Sequence, residues 1–432
     1  MREADAICWS VLEPVGLHST VMLSGLLVLD LSRVLAGPYC TQLLADLGAR
    51  VIKVESFSGD DTRHWGPPFV AGESGYYLSV HRGKEGVVVD LKDARGQELI
   101  ARLASKADVL VENFKVGDLA RYGLDYASIA AENPRIVYLS ITGFGHTGPR
   151  ANEPGYDAAM QAQSGLLAMS GEPGGRPVKT PVAFIDVLTG LHGAVGVLAA
   201  LHQREANGVG AFIDLSLFDV AIASMVNQTQ SAILTGEAPA MLGSAHPNIV
   251  PYQAFDAADG AVVLAVGNDA QFARLCSVLG ISERASDERF ATNAGRVQHR
   301  SELISELQGL TAAWTRYELL AACTAAGVPA TAVLTLPEAL ADAQALARGT
   351  VVTGSHPTVG QLAMAASPLR HVHGPDGSPT EPQAHGGSSA VPPLLGEHSR
   401  SVLLADLGLS EDEASQLIAA GVIGVATGPE PD

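Results

Sequence analysis

Residues 26–55, LLVLDLSRVLAGPYCTQLLADLGARVIKVE, hold the pattern that decides the fold of the first half of the chain. The apolar run 26–31 predicts a strand, and after a short loop Pro38 is suited to the first turn of a helix. Gly48 is placed to end that helix, and a second apolar strand, 51–55, follows at once. A strand, a helix and a strand at this spacing are typical of a parallel sheet covered by helices.

The same alternation continues along the chain. Apolar runs of strand length recur at 87–91, 109–112, 136–141 and 212–215, and helical spacing of apolar residues at 97–103, 156–169 and 186–204. The first half is therefore predicted to be an α/β domain built on a doubly wound, Rossmann-like parallel sheet.

The sequence pattern changes near residue 243, where it predicts two short strands joined by the turn AADG and followed by a helix. This pattern predicts a smaller α+β domain. The predicted boundaries are 1–23 for an N-terminal extension, 24–225 for the large α/β domain, 226–345 for the small domain with its linkers, and 346–432 for a return segment and C-terminal helices that complete the large domain. Residues 371–393, rich in Gly, Pro and Ser, are predicted to be a surface loop or connector.

Charge and composition narrow the class of protein. A formal net charge of -19 argues against binding to nucleic acid or to an anionic membrane through the overall field, because both require a positive face. The longest apolar stretch, 188–201, is interrupted by His192 and is too short to cross a bilayer. The first residues do not resemble a secretory signal, and the four cysteines have no CxxC spacing. A cytoplasmic protein with reduced thiols is predicted.

Several common catalytic motifs are missing from the sequence. Gly37 stands alone where a dinucleotide-binding turn would place three glycines, and no Walker loop occurs. Neither GxSxG nor HExxH is present, so a serine hydrolase and a zinc peptidase are not indicated. The tight histidine pair His371 and His373 opens the Gly/Pro-rich segment and is interpreted as part of a solvated loop. No metal and no permanently bound cofactor are predicted.

Long ordered blocks of the sequence resemble the family III (CaiB/BaiF) CoA-transferases. The blocks are DLSRVLAGPYCTQLLADLGARVIKVE, GDDTRHWGPPF, VENFKVG, SITGFGHTGP, PGYDAAMQAQSGLLAMSG, VAFIDVLTGLHGAVGVLAAL, HPNIVPYQAF and PPLLGEH, and they run from about residue 25 to 398. The resemblance implies a coenzyme A-binding large domain, an interlocked homodimer, and transfer of coenzyme A from an acyl-CoA to a small carboxylic acid. Coenzyme A is then a substrate.

The family nucleophile, an aspartate, falls at Asp186. From spacing alone Asp186 is predicted to be a helix N-cap, whose amide partners and helix dipole would keep its carboxylate ionised. The resemblance implies that this carboxylate forms an anhydride and then an aspartyl-CoA thioester. Donors for the oxyanions are expected in the ITGFG block or among the backbone amides near Asp186.

The resemblance also implies a set of coenzyme A contacts. They fall at the VLA turn, in the HRGK segment, in the VENF block and beyond it, namely at Val34, Leu35, Ala36, Arg82, Lys84, Asn113, Phe114 and Arg121. Ser56 departs from the family, since some members carry arginine at this position.

The same fold hosts α-methylacyl-CoA racemases, which are the alternative. In racemase relatives a histidine precedes the aspartate of the GYD block, whereas this chain has Tyr156 before Asp157. A tyrosine with an unperturbed pKa of about 10 is a poor base near neutrality, so a transferase is favoured. His192 is interpreted as a buried core histidine.

Among the transferases, the blocks most resemble succinyl-CoA-dependent enzymes that act on dicarboxylic acids such as glutarate or hydroxymethylglutarate. The glycine-rich loop of the oxalate type is missing, so oxalate is not expected as the acceptor. A distal carboxylate would call for a cation, and Arg63 or His246 is the hypothesis for that role.

Overall fold

The structure, a computed structural model, describes residues 22–373, 379–384 and 390–426. Of the predicted N-terminal extension, residues 1–21 lie outside this part of the chain. The backbone of His371 and His373 belongs to a strand, but their side chains are not among the described parts of the structure.

Strands recur along the whole described part of the chain. In chain order they are β1 (Leu27–Asp30), β2 (Arg50–Glu55), β3 (Phe69–Val70), β4 (Glu73–Ser74), β5 (Lys84–Val89), β6 (Val109–Glu112), β7 (Val137–Thr142), β8 (Ala211–Ser216), β9 (Tyr252–Ala257), β10 (Gly260–Ala265), β11 (Ala330–Ala332), β12 (Val351–His356), β13 (Gly360–Ala365), β14 (Arg370–His373), β15 (Pro379–Ala384) and β16 (Ile423–Gly424).

Helices connect most of these strands. They are α1 (Ala36–Asp46), α2 (Gly75–Val80), α3 (Ala94–Ala104), α4 (Tyr126–Glu132), α5 (Asp157–Gln163), α6 (Leu166–Met169), α7 (Phe184–Asn207), α8 (Leu217–Ser224), α9 (Val226–Thr235), α10 (Asp269–Val278), α11 (Asn293–Gln298), α12 (Arg300–Thr311), α13 (Arg316–Ala326), α14 (Leu336–Leu340), α15 (Ala343–Ala347), α16 (Ser399–Ala405) and α17 (Glu411–Ala419). Short 3₁₀ turns lie at Asp61–His64, Ala120–Tyr122 and Ser282–Ser286.

The main sheet has seven strands in the order β16-β5-β2-β1-β6-β7-β8. Every pair is parallel except β16 with β5, which confirms the predicted parallel sheet. Its central strands are apolar on both faces because helices cover both sides, and Leu29, Ile52 and Leu110 are almost fully buried. From β1, the strands β2 and β5 follow on one side of the sheet, and the strands β6, β7 and β8 follow on the other side. In open α/β sheets, this reversal of strand order opens a crevice at the carboxyl ends of the strands.

By contacts the chain divides into two units. Among the described residues, the larger contains 22–160, 182–224 and those from 343 to 426, and it holds the main sheet. The second contains 161–181 and 225–342. Residues 161–181 were predicted to belong to the large domain, but they pack with the second unit instead.

The second unit has its own hydrophobic core. Its antiparallel sheet has the order β11-β10-β9, and Phe255, Phe272 and Leu303 are buried between this sheet and the helices.

Part of the Gly/Pro-rich segment is more regular than predicted. Strands β14 and β15 form an antiparallel pair inside it, so the expectation of a loop throughout is wrong for these residues. Residues 374–378 and 385–389 of this segment lie outside the described residues.

Helix α7 has the length and the apolar composition of a membrane-spanning helix. It packs in the larger unit against α1 and against strands β7 and β8, where Val197 is fully buried. Two glycines let α7 approach its neighbours closely: a Cβ on Gly190 would lie 2.7 Å from the carbonyl oxygen of Ala36, and one on Gly193 would lie 2.9 Å from Leu139 Cδ2. This packed face accounts for part of the apolar character of α7.

This packing predicts opposite effects of two alanine substitutions in one helix. Gly190→Ala would push α7 away from α1 and is expected to lower the free energy of unfolding by about 1–3 kcal/mol. A Cβ on Gly196 would meet only Ile213 at 3.6 Å, an ordinary contact. Gly196→Ala should therefore raise the free energy of unfolding by up to about 1 kcal/mol through helix propensity. Urea unfolding of both variants measures the difference, and equal effects would contradict the close approach of α1 and α7.

Candidate active site

A cleft opens at the carboxyl end of the main sheet, beside the reversal of strand order between β1 and β6. Its lining comes from the turn after β1, the loop after β6, the end of β7, the loop before α5, and the first turns of α7 and α8. The lining residues are Arg33, Val34, Leu35, Ala36, Asn113, Phe114, Lys115, Val116, Ile141, Thr142, Gly143, Ala151, Asn152, Glu153, Pro154, Gly155, Tyr156, Asp186 and Leu217. The structure thus brings the VLA turn, Asn113, Phe114 and Asp186 to one cleft.

Asp186 is not the N-cap that its position in the sequence predicted. Helix α7 begins at Phe184, its N-cap is Ala183, and no side chain of that residue caps it. The carboxylate of Asp157 takes this role instead: its Oδ1 accepts hydrogen bonds from the backbone N–H of Ile185 at 2.8 Å and of Asp186 at 3.4 Å. The cap comes from a distant loop, which leaves the Asp186 side chain free to face the cleft.

The electrostatic surroundings of Asp186 also differ from the prediction. Burial raises the pKa of this carboxyl to about 7, and the negative charge of Asp157 contributes in the same direction. The amide that follows Asp186, that of Val187, donates to the carbonyl of Ala183, so it does not offset the effect of burial. At neutral pH the Asp186 carboxyl is therefore poised between its protonated and ionised forms.

Two glycines position Asp157. A Cβ on Gly155 would lie 2.4 Å from the Cα of Gly143, so the loop before α5 packs directly on the backbone that follows β7. This contact places Tyr156 at the cleft, with 66% of its surface exposed, and turns Asp157 inward, where it is buried.

The turn after β1 is held by side chains from other segments. Asn113 Oδ1 accepts from the N–H of Arg33 at 2.9 Å, and its Nδ2 donates to the carbonyl of the same residue at 2.7 Å. Val34 follows with φ 72°, a left-handed conformation that is uncommon for a β-branched residue. Asn113 therefore shapes the cleft wall, and its amide is committed to the backbone of Arg33.

Three predicted cations do not line the cleft. Arg82 is buried and pairs with Asp46 at 2.6 Å, and Lys84 is buried and pairs with Asp30 at 3.0 Å. Arg121 is exposed and packs on the ring of Tyr122. A buried cation needs an anionic partner, and both buried cations have found theirs inside the protein, so their predicted contact with coenzyme A is not supported.

The cations that do line the cleft are Arg33 and Lys115, which the sequence did not single out. Each directly adjoins a predicted contact, Val34 and Phe114 respectively. Their position next to these contacts in the sequence is the signal from which they could have been predicted as cleft residues.

Other candidate residues also have different surroundings from those expected. Arg63 donates two hydrogen bonds of 2.8 Å to Glu55 and stacks on Tyr77, so it is not available for a substrate carboxylate. His246 belongs to the second unit, where its Nδ1 accepts from the N–H of Asn248. His192 is exposed on α7, so its interpretation as a core histidine is wrong.

Tyr76 is a further residue near Asp186 that the sequence did not single out. Burial raises the pKa of its hydroxyl to about 12, and the charges of Asp186 and Asp157 act in the same direction. The hydroxyl therefore stays protonated and able to donate at neutral pH. Within the described part of the chain, no group of three His, Cys, Asp or Glu side chains is arranged to hold a metal ion.

Comparison with known proteins identifies the family of this chain. Residues 23–399 match the model of CoA-transferase family III. The chain is 44% identical over 398 residues to the succinate–glutarate CoA-transferase of Agrobacterium fabrum, covering 88% of this chain and 94% of that protein. It is 38% identical over 421 residues to the human succinyl-CoA:glutarate CoA-transferase, covering 96% and 93%.

A solved structure gives the same result for the fold. The crystal structure of a CaiB/BaiF family protein from Brucella suis superimposes with a TM-score of 0.77 at 42% identity, covering 89% of this chain and 99% of that one. The sequence match and the shared fold together establish that this chain belongs to CoA-transferase family III.

Proposed function

We propose that this CoA-transferase moves coenzyme A from succinyl-CoA to a dicarboxylic acid such as glutarate, with Asp186 as the covalent nucleophile. The observation that carries the proposal is the placement of Asp186: its carboxyl lies at the cleft, is held by a capped helix, and has a pKa raised to about 7. The donor and acceptor are those in the names of the bacterial and human relatives.

The proposed reaction exchanges activated acyl bonds. The ionised Asp186 carboxylate attacks the thioester carbonyl of succinyl-CoA, which gives a mixed anhydride and releases the coenzyme A thiolate. The thiolate attacks the aspartyl carbonyl, releases succinate and leaves an aspartyl-CoA thioester. The acceptor carboxylate attacks this thioester to form a second anhydride. The thiolate then takes the new acyl group and restores Asp186.

The raised pKa of Asp186 suits a nucleophile. A more basic carboxylate attacks a carbonyl more readily, whereas an ordinary carboxylate with a pKa of about 3.9 is fully ionised but less reactive. A pKa of about 7 keeps a large ionised fraction at neutral pH while increasing reactivity. Burial, its main cause, also removes water that would compete for the activated intermediates.

The backbone amides at the start of α7 are not available as oxyanion donors. Those of Ile185 and Asp186 donate to Asp157, and that of Val187 donates to the carbonyl of Ala183. The ITGFG block remains, since Thr142 and Gly143 line the cleft. We assign oxyanion stabilisation to this segment.

The phosphates of coenzyme A require cations at the cleft. Arg33 and Lys115 supply them in place of Arg82 and Lys84. Arg33 is exposed and its contact with Asp61 is a surface pair of 3.4 Å, which a phosphate can displace at small cost.

We also propose that the protein acts as a homodimer in the cytoplasm. Apolar side chains on one face of α7 are open to solvent, with Leu191 40% and Val195 66% exposed. On α9, Ile233 and Leu234 are more than two thirds exposed. Covering such surfaces with a second copy would remove them from water. The thiols of Cys40, Cys276 and Cys323 are free and buried, which suits a reducing compartment.

Removing the nucleophile tests the proposed mechanism. Asp186→Ala is expected to lower the rate of coenzyme A transfer from succinyl-CoA to glutarate by at least about 1,000-fold, because it removes the carboxylate that forms the covalent intermediates. Asp219→Ala, at an exposed position on α8, serves as the matched control and should retain the rate. Mass spectrometry of isotope-labelled glutarate measures glutaryl-CoA formation. Transfer that survives in Asp186→Ala would disprove the role of this residue.

The pKa of Asp186 predicts the dependence of the reaction on pH. Since the carboxylate form attacks, kcat/KM for succinyl-CoA should rise with pH and level off above about 7. Asp157→Asn removes the neighbouring charge but keeps an oxygen that can accept the helix amides, so the midpoint should move to lower pH. The move should be partial, because burial is the larger cause. A midpoint that stays or rises in Asp157→Asn would contradict this account.

The racemase alternative makes a different prediction about isotopes. In deuterated water a racemase would introduce deuterium at the α-carbon of an acyl-CoA without exchanging acids. Tyr156 is exposed at the cleft in the position of the racemase histidine. Transfer between acids without deuterium uptake is the expected result.

The exposed face of α7 predicts the oligomeric state. The unaltered protein should be a dimer by light scattering after size exclusion, and Val195→Glu should shift it to monomer by placing a charge in the interface. Val209→Glu changes a residue that is 54% exposed beyond the end of α7 and should leave the dimer intact. A monomeric unaltered protein, or a Val195→Glu variant that stays dimeric, would refute the proposed interface.

A further inference from the structure

Val34 has a conformation that needs support. Its φ of 72° lies in the left-handed region, where a β-branched side chain crowds its own backbone. Such residues persist only where the surroundings hold them, and they cluster at ligand sites. Val34 lines the cleft together with Leu35 and Ala36, so its backbone angle sets the direction of that wall.

The carboxylate of Asp60 holds this residue. The N–H of Val34 lies 3.2 Å from each of the two Asp60 oxygens. Asp60 is itself 2% exposed and is fixed by Thr62, whose backbone N–H and hydroxyl donate to Oδ1 at 3.0 and 2.8 Å. A buried anion with this many donors has one well-defined position.

Lys53, on strand β2, holds Asp60 and the turn after β1 from the side of the sheet. Its ammonium group is buried, lies 3.1 Å from Asp60 Oδ2, and also donates to the carbonyl of Ser32. Ser32 and Val34 are therefore tied to one buried ion pair. Both residues of that pair lie outside the cleft lining, so neither would touch a substrate there.

We propose that Asp60 is a positioning residue for acyl-CoA binding: with Lys53, it locks Val34 in the left-handed conformation and so shapes the coenzyme A wall of the cleft. The inference rests on the proposed function in taking this cleft as the coenzyme A site. It assigns Asp60 no part in bond making, which remains with Asp186.

The role predicts a selective kinetic effect. Asp60→Asn weakens the hold on the N–H of Val34 and removes the carboxylate that Lys53 contacts at 3.1 Å. The dissociation constant of free coenzyme A and KM for succinyl-CoA should rise about 10-fold or more, while KM for glutarate changes by less than about 2-fold. Asp61→Asn is the matched control, because Asp61 is exposed and pairs with the Arg33 side chain at 3.4 Å on the surface. It should leave these constants within about 2-fold of the unaltered protein.

A double-mutant cycle with Val34→Gly separates positioning from a general loss of stability. Glycine adopts positive φ without crowding, so the turn depends less on Asp60 in that background. The effect of Asp60→Asn on coenzyme A affinity should shrink there to less than about 3-fold. Equal effects in both backgrounds would overturn the inference.

Hydrogen exchange gives a readout that does not depend on catalysis. The peptide that covers residues 31–36 should exchange faster in Asp60→Asn than in Asp61→Asn, and unchanged exchange would overturn the inference. If Asp60→Asn does not fold, Thr62→Val provides the test. It removes only the 2.8 Å hydroxyl bond to Asp60, so the same changes in the same direction are expected at about 2–3-fold. Failure of the unaltered protein to bind coenzyme A would instead refute the proposed function, and the exchange rates would still report on Asp60.

Discussion

The hydrogen bonds between the first turn of α7 and the Asp157 carboxylate determine what Asp186 can do. A helix start exposes several unpaired amides that attract the nearest anion. Here that anion comes from another loop, at 2.8 Å from the N–H of Ile185. Asp186, three residues into the helix, is then left with burial and a like charge as its main influences. Both raise its pKa, to about 7. The same cap therefore fixes the helix, aims the side chain and makes the carboxyl more basic.

The buried charges beneath the cleft serve a second structural purpose. Lys53, Lys84 and Arg82 all point into the protein, where Asp60, Asp30 and Asp46 neutralise them. A chain with a net charge of -19 has few cations to place, and these three stabilise loops at the ends of the central strands. An anionic substrate must then rely on cations at the cleft surface. Arg33 and Lys115 are in that position, on the two loops that flank the reversal of strand order.

The parallel sheet could be predicted from sequence because its signals are local. Apolar strands, intervening helices and the turn residues of 26–55 define the βαβ unit without knowledge of distant contacts. The placement of Val34 and Asn113 at one cleft followed from the same rule, since loops after neighbouring parallel strands meet at one edge. The resemblance to the family supplied Asp186, which spacing alone had assigned as a helix cap.

Most of the predictions that were wrong concern side chains whose surroundings depend on contacts between residues far apart in the chain. The resemblance to the family implied that Arg82 and Lys84 contact coenzyme A, yet their partners Asp46 and Asp30 lie earlier in the chain, and no local pattern shows the pairing. The cap of α7 comes from Asp157, whose position depends on the contact of Gly143 with Gly155. His192 lies in an apolar stretch but on the exposed side of α7, which periodicity did not resolve.

The central claim is that Asp186 becomes covalently bound to coenzyme A during turnover. Incubation of the protein with succinyl-CoA in the absence of an acceptor, followed by acid quench and peptide mass spectrometry, tests it most directly. We expect the peptide that contains Asp186 to gain the mass of coenzyme A less one water, and to lose it again when glutarate is added before the quench. An adduct on another residue, or no adduct in a preparation that transfers coenzyme A, would contradict the account.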